Sequence, residues 1–453
     1  MTFRPLACGH LAAAILVTAV AGCTRYLASP LATSADALSL VDPAALITAS
    51  SIIDRPFLAP GAIDFSVPLT LDALAVIAVV ESPELRALRA RTGVAEAQAF
   101  AARLLPDPTA AASFAPVLSG PDTFNAFAGQ LGFDLAQLRL RRVTRAASDA
   151  TRRQVRLDLA WAEWQTAGQA RLLGVRVVGL STASSLVQAS AAAATKALDT
   201  ALRAAGRGDI AGAELDARRQ VAIDAADRAR ATESGLVAAR GDLNKVLGLP
   251  PATTLRLAAP PAAAPLPPAA ALVTLALGRR LDLAALQAGY AAAEANTRRA
   301  VLEQFPALLL TFAGGRDTAN NYTIGPQVGF TLPLWNRNRG GIAVATATRA
   351  QLKAEYAARL FTTRADIVDL VAALDTLTRQ RAALAAALPP LRRYAEATVR
   401  AASRGDLPQA TAAAATQIVR DRELALVSAD QTIAEQTIAL ELLTGTLREG
   451  WTR

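Results

Sequence analysis

The sequence predicts a mainly α-helical chain that also carries four β-strands of membrane-crossing length and is built as two tandem structural repeats. Three observations predict this fold class. Alanine-rich helical stretches are unusually long. Two short segments between them have the turn and β-branched composition of hairpins. Both patterns recur in the second half of the chain at a nearly constant spacing.

The composition favours thin, closely packed helices over a large globular core. Of 453 residues 52% are hydrophobic, but only 5% are aromatic, and alanine dominates. The formal net charge of +9 comes mainly from arginines that lie beside Glu and Asp along the helical faces. We interpret these as solvated faces and predict no nucleic-acid partner. The basic run 138–145 has no interleaved aromatics and is interpreted as a charged collar where the strands of the first hairpin give way to the long helix.

The N-terminus predicts a lipid anchor. The apolar run Leu11–Ala21 is too short for a stable membrane span and ends in Val20-Ala21-Gly22-Cys23. This resembles a bacterial lipobox, so we expect residues 1–22 to be a signal peptide and Cys23 to be lipidated. An ordinary signal peptide with an incidental cysteine is the alternative. The residues after Cys23 lack the aspartate that retains lipoproteins at the inner membrane, so we expect the outer membrane.

The residue inventory argues against an enzyme. Cys8 and the single histidine, His10, lie in the segment predicted to be removed, and Cys23 would carry lipid. The remaining chain then has no thiol or imidazole for a transition-metal site or a histidine-based catalytic apparatus. No carboxylate pair lies in a distinctive context. We therefore expect no catalytic residues, no cofactor and no metal site.

The elements of the first half follow in order. Residues 23–69 contain five prolines after position 29 and are predicted to be an extended tether. The first repeat is predicted over 70–250, with its parts as follows: helix Thr70–Leu105, hairpin 109–135 with strands Thr109–Leu118 and Thr123–Leu135 around a turn at 119–122, helix Arg139–Ala205, turn 206–209, and helix Ile210–Leu247. A Pro/Ala-rich connector covers 251–269.

The second half repeats this order over 270–447, and residues 448–453 are predicted to be a tail. Its parts are helix Ala270–Gln304, hairpin 307–334, a long helix from Arg337, a turn at 403–406, and a last helix. The matched positions are Pro108 with Pro306 and Phe114 with Phe312 at a shift of 198, and Gln130 with Gln327, Gly208 with Gly405 and Gly248 with Gly445 at 197. A nearly constant shift along the whole chain predicts two copies of one unit.

The lengths of these parts suit a rod or tunnel. The 68 residues from Arg337 to Gly405 would span about 100 Å as helix. A hairpin taken alone fits a soluble domain as well as a membrane. In lipid, however, open strand edges are not tolerated and four strands cannot close a barrel. Two chains would supply eight strands and three would supply twelve, and the larger closure leaves an aqueous lumen.

Three motifs carry a resemblance to the TolC-like outer-membrane factor family, over Thr70 to Leu447. The first is L-x2-L-x7-E-x11-P-x5-F, present in both halves from Leu85 and from Leu283. The second is GFTLPLWNRNRG at 329–340, and the third is G-D-I-x3-E-L-x-A-R at 208–218. Part of the second motif and the residues after it, LPLWNRNRGGIA at 332–343, are also similar to the CzcC-like ducts of heavy-metal RND pumps.

The resemblance implies a homotrimer whose twelve-stranded barrel spans the outer membrane and whose helical barrel crosses the periplasm. It would be an exit duct that passively conducts substrates, with heavy-metal cations as one expected cargo, from an inner-membrane pump and a periplasmic adaptor protein. Alternatives are the duct of a type I secretion or drug-efflux system, and a periplasmic adaptor lipoprotein. An adaptor should show lipoyl-like segments around a single helical hairpin instead of two tandem units.

The resemblance also assigns candidate site residues. The periplasmic tips that contact the adaptor are expected at Gly206, Arg207, Gly208, Asp209, Ser403, Arg404, Gly405 and Asp406. Candidate aperture acids are Asp209, Glu214 and Asp406. The barrel-to-helix transition is expected at Pro108, Pro306, Pro333, Trp335, Arg337 and Gly340. The simpler interpretation of each tip is a helix break in which glycine permits the turn and aspartate caps the next helix.

Overall fold

The computed structural model describes residues 26–31, 33, 43–53, 55, 57–58, 63–262 and 264–451. The predicted signal peptide and Cys23 lie outside these residues. The chain divides into a unit of residues 1–40, in which the described residues 26–31 and 33 are non-helical and exposed, and a unit Val41–Arg453. The second unit contains every helix and strand described below.

Helices dominate the described part of the second unit, and four strands form a single sheet. The elements of the first half are α1 Pro43–Ser51, α2 Leu71–Glu81, α3 Pro83–Ala101, β1 Thr109–Ala115, β2 Ala126–Asp134, α4 Leu135–Gly206 and α5 Gly212–Val246. Those of the second half are α6 Ala269–Arg279, α7 Leu281–Leu302, β3 Leu308–Arg316, β4 Tyr322–Phe330, α8 Arg339–Ser403 and α9 Gln409–Thr444. The predicted fold class, mainly helical with four strands in two tandem repeats, is confirmed.

Each long hairpin of helices packs against its counterpart. Helix α4 packs on α5, α8 packs on α9, and α4 also contacts α9 across the repeats. One apolar core lies where α2 meets α4 and the end of α5, around Leu74, Ile77 and Leu243. A second core, around Leu272 and Leu440, lies where α6 meets α8 and α9. The first core also contains Ile438 of α9 and so joins the two repeats, the second core lies within the second repeat, and the sheet is left outside both.

The helices predicted over Thr70–Leu105 and Ala270–Gln304 are each interrupted, which corrects the sequence-based boundaries. Ser82 ends α2, and its Oγ accepts a hydrogen bond from the Leu85 N–H as the N-cap of α3. Pro83 follows at the first helical position, where its missing N–H costs nothing. The second break falls at Arg280, 198 residues later, so the interruption belongs to the repeat.

A glycine from the far end of each repeat lies against the corresponding break. Gly248 and Gly445 have positive φ angles of 68° and 71°. A Cβ on Gly248 would lie 2.9 Å from the carbonyl oxygen of Glu81, and one on Gly445 would lie 3.1 Å from Cα of Arg280. Only glycine allows both this conformation and this close approach of main chains.

The predicted extended tether is wrong for the described residues after position 43. Residues Pro43–Ser51 form α1, and Leu46, Leu58 and Leu69 are buried in the first core. Leu69 also forms a parallel bridge with Leu257 of the connector. The apolar residues between the prolines bury enough surface to fold this segment onto the helices, because each buried leucine contributes about 1.5–3 kcal/mol.

A buried carboxylate also holds this segment in place. Glu163 of α4 is 1% exposed. It accepts hydrogen bonds from Nη2 of Arg55 at 3.0 Å and Nη2 of Arg89 at 2.9 Å. Two guanidinium groups therefore compensate one buried charge and join the N-terminal segment, α3 and α4.

The predicted tail, 448–453, is also packed as far as it is described. Arg448–Gly450 form one turn of 3-10 helix. Trp451 packs on the second core, and its indole N–H donates to Oγ1 of Thr444 at 3.1 Å. The C-terminal segment thus closes the end of α9 instead of extending away from it.

Candidate functional site

The sheet is the first part of the candidate site. Its order is β1-β2-β3-β4 and every neighbouring pair is antiparallel. The first hairpin is shorter than predicted. Pro116 follows the end of β1, and residues 116–125 form a loop in which Asn125 Oδ1 accepts a hydrogen bond from the Val117 N–H at 3.1 Å. Strand β4 ends at Phe330, four residues before the predicted end.

The strand register places small and polar residues on one face of the sheet. Thr109 pairs with Gly132, which pairs with Thr311, which pairs with Gln327. Because side chains alternate along a strand and paired residues share a face, this row identifies every second residue. The other members of this face are Ala111, Ser113, Ala115, Ala126, Ala128, Gln130, Leu309, Ala313, Gly315, Thr323, Gly325 and Gly329, and Leu309, near the start of β3, is the one large apolar side chain among them. The only ionisable side chain that the four strands place on this face is Asp134, at the end of β2.

The opposite face carries the large apolar side chains. Its members are Ala110, Ala112, Phe114, Phe127, Gly129, Leu131, Phe133, Leu308, Leu310, Phe312, Gly314, Arg316, Tyr322, Ile324, Pro326, Val328 and Phe330, by the same register. Ile324 is 90% exposed and Phe114 is 67% exposed, so the described chain does not cover this face. A large uncovered apolar surface opposite a polar one is typical of a barrel wall between lipid and water.

Aromatic residues lie along one row near the hairpin turns. Phe114, Phe127, Arg316 and Tyr322 are paired in sequence across the four strands. Phe127 and Tyr322 meet edge to face with centroids 6.4 Å apart, and the Arg316 guanidinium lies 5.3 Å from the centroid of Phe127. Such a row at the end of an apolar band has the character of an interfacial aromatic girdle.

The residues predicted at the barrel-to-helix transition lie where the strands meet the helices. Pro108 and Pro306 precede β1 and β3, Pro333 and Trp335 lie in the segment between β4 and α8, and Gly340 is in the first turn of α8. Trp335 is 85% exposed. Arg337 has a left-handed φ of 47°, as does the next residue, Asn338, at 51°.

The basic run 138–145 contributes contacts that the sequence did not predict. Arg139 donates from Nη2 to the carbonyls of Leu302 and Phe305, at the C-terminal end of α7. Arg141 donates to the carbonyl of Arg103, just after α3, at 2.7 Å. Positive side chains thus bind carbonyls at the C-terminal ends of two helices, where the helix dipole favours a cation.

The two predicted tips have the same geometry. Gly208 and Gly405 adopt φ angles of 79° and 84°. Each is followed by an aspartate whose N–H closes the preceding helix: Asp209 N–H to Ala204 O and Asp406 N–H to Ala401 O, both at 2.9 Å. The tips therefore end the helical hairpins α4–α5 and α8–α9 through one repeated turn. Gly206 and Ser403 are the last residues of α4 and α8.

The prediction that these aspartates cap the next helices is wrong. Helices α5 and α9 begin after Ala211 and Pro408 without a side-chain cap. Instead, Asp209 accepts from Nε of Arg207 at 2.8 Å. The second tip repeats this pair between Asp406 and Arg404 at 2.9 Å. Each aspartate is neutralised locally because the tight turn brings the residue two positions earlier alongside it.

The third candidate aperture acid, Glu214, lies in the first turn of α5 and faces Arg218 at 3.6 Å. All three acids are at least half exposed. Among the described residues, no group of three or more His, Cys, Asp or Glu side chains is arranged to hold a metal ion.

Comparison with known proteins shows the fold and gives a family match over part of the second repeat. Residues 272–446 match the family model "Outer membrane efflux protein". No curated protein matches the sequence. The CmeC outer membrane channel of Campylobacter jejuni is 15% identical with a TM-score of 0.70, covering 83% of this chain and 85% of CmeC.

Two further solved channels have the same fold. The open state of the MtrE outer membrane channel of Neisseria gonorrhoeae is 17% identical with a TM-score of 0.67, covering 87% of this chain and 96% of MtrE. CusC, described for its transmembrane channel formation, is also 17% identical with a TM-score of 0.66, covering 87% of this chain and 98% of CusC. Residues 272–446, most of the second repeat, therefore match the outer membrane efflux protein family, and the fold of the solved outer membrane channels extends over both repeats.

Proposed function

We propose that this chain is one of three identical protomers of an outer-membrane exit duct. The duct passively conducts substrates that an inner-membrane RND-type pump and a periplasmic adaptor deliver. The observation that carries the proposal is the two-faced sheet with its two outer edges open. Three copies of four strands give a twelve-stranded barrel, with the apolar face toward lipid and the polar face toward water.

The helices support a tunnel continuous with that barrel. Helix α8 has 65 residues, which correspond to about 100 Å at 1.5 Å per residue. Helix α4 has 72 residues. Helix α4 starts directly after β2, α8 starts after the short segment 331–338 that follows β4, and both helices end at a tip. A wall of such helices carries cargo from the tips to the barrel without a further domain.

The cargo that we propose is a heavy-metal cation. The similarity of residues 332–343 to heavy-metal ducts supports this assignment. The sheet wall agrees with it, because a face of Ala, Gly, Thr and Gln has no soft ligand that would retain a metal ion. A drug or a secreted protein would use the same wall, so growth of a deletion strain on a panel of metals and drugs separates these cargoes.

The proposed partners follow from the ends of the duct. The tips at Gly206–Asp209 and Ser403–Asp406 would contact the adaptor, and Asp209, Glu214 and Asp406 would line the periplasmic aperture. A lipid on Cys23 would anchor the chain beside its barrel in the outer membrane. The exposed, paired charges of the tips support a polar docking surface.

The test uses two neighbouring residues that the register assigns to opposite faces. Leu131→Arg places a charge on the lipid face near the middle of β2, which costs about 2–4 kcal/mol per copy at the centre of a bilayer. We expect little trimer in the outer membrane fraction and no complementation of a deletion strain. Gln130→Arg, the matched control, faces the lumen and should assemble normally.

Native mass spectrometry of detergent-extracted protein measures the assembly, and single-channel recording measures conduction. The control should form trimers whose conductance is changed by three added charges in the lumen. Equal assembly of both variants, or a wild-type protein that is a monomer released without detergent, would contradict the proposal.

A further inference from the structure

We propose a specific pairing between neighbouring copies: β4 of one protomer lies antiparallel to β1 of the next, with Gln327 opposite Ala115 of the neighbouring protomer. This inference rests on the proposed trimer and deepens it, because it assigns the residues of the surface by which one copy recognises another. It follows from the hydrogen-bonding groups at the two free edges, the internal repeat and the geometry of closure.

The unpaired edge of β4 is defined by two hydrogen bonds beyond its ends. Thr331 donates from its N–H to Ala307 O at 3.3 Å, and Asp317 donates to Asn321 O at 3.0 Å. Both continue the β3–β4 register, so odd-numbered residues of β4 bond to β3. Because successive N–H groups in a strand point to opposite sides, the even-numbered residues of β4 point their main-chain groups to the free edge.

The same alternation can be followed across the sheet to β1. Since odd residues of β3 bond to β4, even residues of β3 bond to β2, whose partners there are odd. Even residues of β2 therefore bond to odd residues of β1. The groups of Ala110, Ala112 and Phe114 are left facing the other free edge. At the hydrogen-bonded positions, any pairing between copies must therefore join an even residue of β4 to an even residue of β1. The odd residues then pair at the positions without hydrogen bonds.

The junction between the two repeats supplies the template for the pairing. Within one chain, β2 and β3 join the two hairpins, with Gln130 opposite Ala313. The shift of 197 takes Gln130 to Gln327, and the shift of 198 relates Ala115 to Ala313. The equivalent junction between two copies thus sets Gln327 opposite Ala115. It joins only even residues at the hydrogen-bonded positions, as the edges require, with Val328 opposite Phe114.

Barrel closure provides an independent check, needed because the two hairpins are not identical. Phe114 faces Phe127, whereas Phe312 faces Pro326, two residues beyond the position that the repeat would give. A path across the sheet runs Thr109, Gly132, Thr311, Gln327 and then reaches Ala115 of the neighbour, six residues along β1.

Three such steps displace the twelve-stranded wall by about 18 residues, which corresponds to a strand tilt of about 45° at ~3.3 Å per residue and ~4.8 Å between strands. A register two residues longer gives about 54°, outside the usual range of about 35–45°. A register two residues shorter gives a tilt of about 35°, within the usual range, and the cysteine pairs described below distinguish it from the proposed register.

Two prolines agree with the proposed register. Pro326 is even-numbered, so its nitrogen faces the free edge of β4, where it cannot donate. Pro116 directly follows β1, and the same alternation directs its nitrogen to the other free edge. In the proposed register these two prolines face one another. The break in the ladder is then confined to a single pair near the turns, whereas any other register would interrupt two separate pairs.

Cysteine pairs test the register. The pairs Gln327–Ala115 and Gly329–Ser113 are non-hydrogen-bonded positions on the luminal face, where Cβ atoms of opposite residues are close enough for a disulfide. We expect Gln327→Cys with Ala115→Cys, and Gly329→Cys with Ser113→Cys, to form covalent oligomers under mild oxidation in the membrane. The crossed combinations Gln327→Cys with Ser113→Cys and Gly329→Cys with Ala115→Cys use the same four substitutions, two residues out of register.

Non-reducing gels should show at least about tenfold more covalent dimer and trimer for the matched pairs than for the crossed pairs, because diagonal Cβ atoms lie about 7–8 Å apart. Variants with one new cysteine control for links through Cys8 or Cys23. Preferred linking of either crossed pair in a protein that native mass spectrometry shows to be a trimer overturns the register and leaves the trimer intact. A wild-type protein that is not a trimer overturns the proposed function itself.

Discussion

Four glycines with positive φ show how one residue type serves two purposes in this chain. Gly208 and Gly405 turn the tips in open space, where a Cβ would meet no heavy atom within 4 Å. Gly248 and Gly445 adopt the same conformation against the main chain of the other end of their repeat. The tips therefore need glycine only for its backbone conformation. Gly248 and Gly445 need to be glycine both for this conformation and for the close contact with the neighbouring main chain.

We predict that Gly248→Ala lowers the free energy of unfolding by about 2–4 kcal/mol. About 1 kcal/mol comes from the left-handed conformation, and the remainder from displacing the carbonyl of Glu81, which is main chain and cannot rotate away. Thermal unfolding followed by circular dichroism in detergent measures the change.

Gly241→Ala is the matched control in the preceding helix, α5. It has no atom near its Cβ position, so alanine should be neutral or stabilising by up to about 1 kcal/mol. An unfolding midpoint for Gly248→Ala equal to that of Gly241→Ala would show that the contact between residue 248 and Glu81 tolerates a side chain.

At this scale the sequence predicted the special glycines but not the buried charge. Gly208, Gly248 and their counterparts were visible because turn residues recur at a fixed spacing. The pairing of Glu163 with Arg55 spans 108 positions. Nothing in the chain before folding distinguishes Glu163 from the exposed glutamates, because burial depends on which helices pack around it.

At the scale of elements, the sequence predicted which helices and strands exist better than where they end. Ser82 followed by Pro83 carried the signal of a helix start, but the alanine-rich pattern on both sides concealed it. Arg280 carried no such signal, since its break depends on a buried ion pair with Asp282 at 2.7 Å. The segment after Pro43 was misassigned because its prolines outweighed the apolar residues between them.

One contact joins three elements and makes stability depend on pH. Burial raises the pKa of Glu441 on α9, and the nearby guanidinium of Arg171 on α4 partly opposes this rise. The Glu441 carboxylate also accepts the N–H of Arg448 in the C-terminal turn at 3.1 Å. An acid with a raised pKa in the folded state favours folding most when protonated, so its contribution is lost as pH increases through that pKa.

We predict that wild-type protein loses stability relative to Glu441→Gln as the pH rises from below about 4.5 to neutrality. Unfolding midpoints measured across that range give the difference between the two proteins. Glu435→Gln, which removes an acid facing Arg176 one and a half turns earlier on α9, should keep the wild-type profile. A constant difference between wild type and Glu441→Gln at all pH values would show that Glu441 does not titrate there.

At the scale of the whole molecule, the sequence indicated the architecture because it is repeated. Two hairpins of membrane length and two rod-length helices were enough to predict a duct. The division of the sheet into a lipid face and a luminal face needed the register, because Ala, Gly and Thr are common in the strands and the alternation along one strand is weak. The packed C-terminal turn could not be predicted, because Trp451 packs on a core that forms only once α6, α8 and α9 have come together.

We predict that the tip acids influence which ions enter. Asp406→Asn leaves Arg404 unpaired at the narrow end, so three copies add three net positive charges there. In planar bilayers we expect a lower ratio of potassium to chloride permeability. The effect should be largest at low salt, because the Debye length is about 30 Å at 0.01 M and the added charges are then screened least.

The matched control is Asp227→Asn, which breaks an exposed pair with Arg230 some 18 residues from Asp209 along α5. We expect a much smaller change there, because the charge lies away from the tip. Equal effects of both variants would place the constriction elsewhere.

The two repeats differ in one mechanical property. Pro389 and Pro390 lie inside α8, about four turns before its tip, whereas α4 contains no proline. Two consecutive prolines leave the carbonyls of Ala385 and Ala386 without their helical donors, so α8 resists bending less at this point than α4 does. In a ring of three protomers, stiff and compliant shafts then alternate around the periplasmic mouth. We expect that a load applied by the proposed adaptor would bend three of the six hairpins more than the other three, so that the mouth would deform with threefold instead of sixfold symmetry.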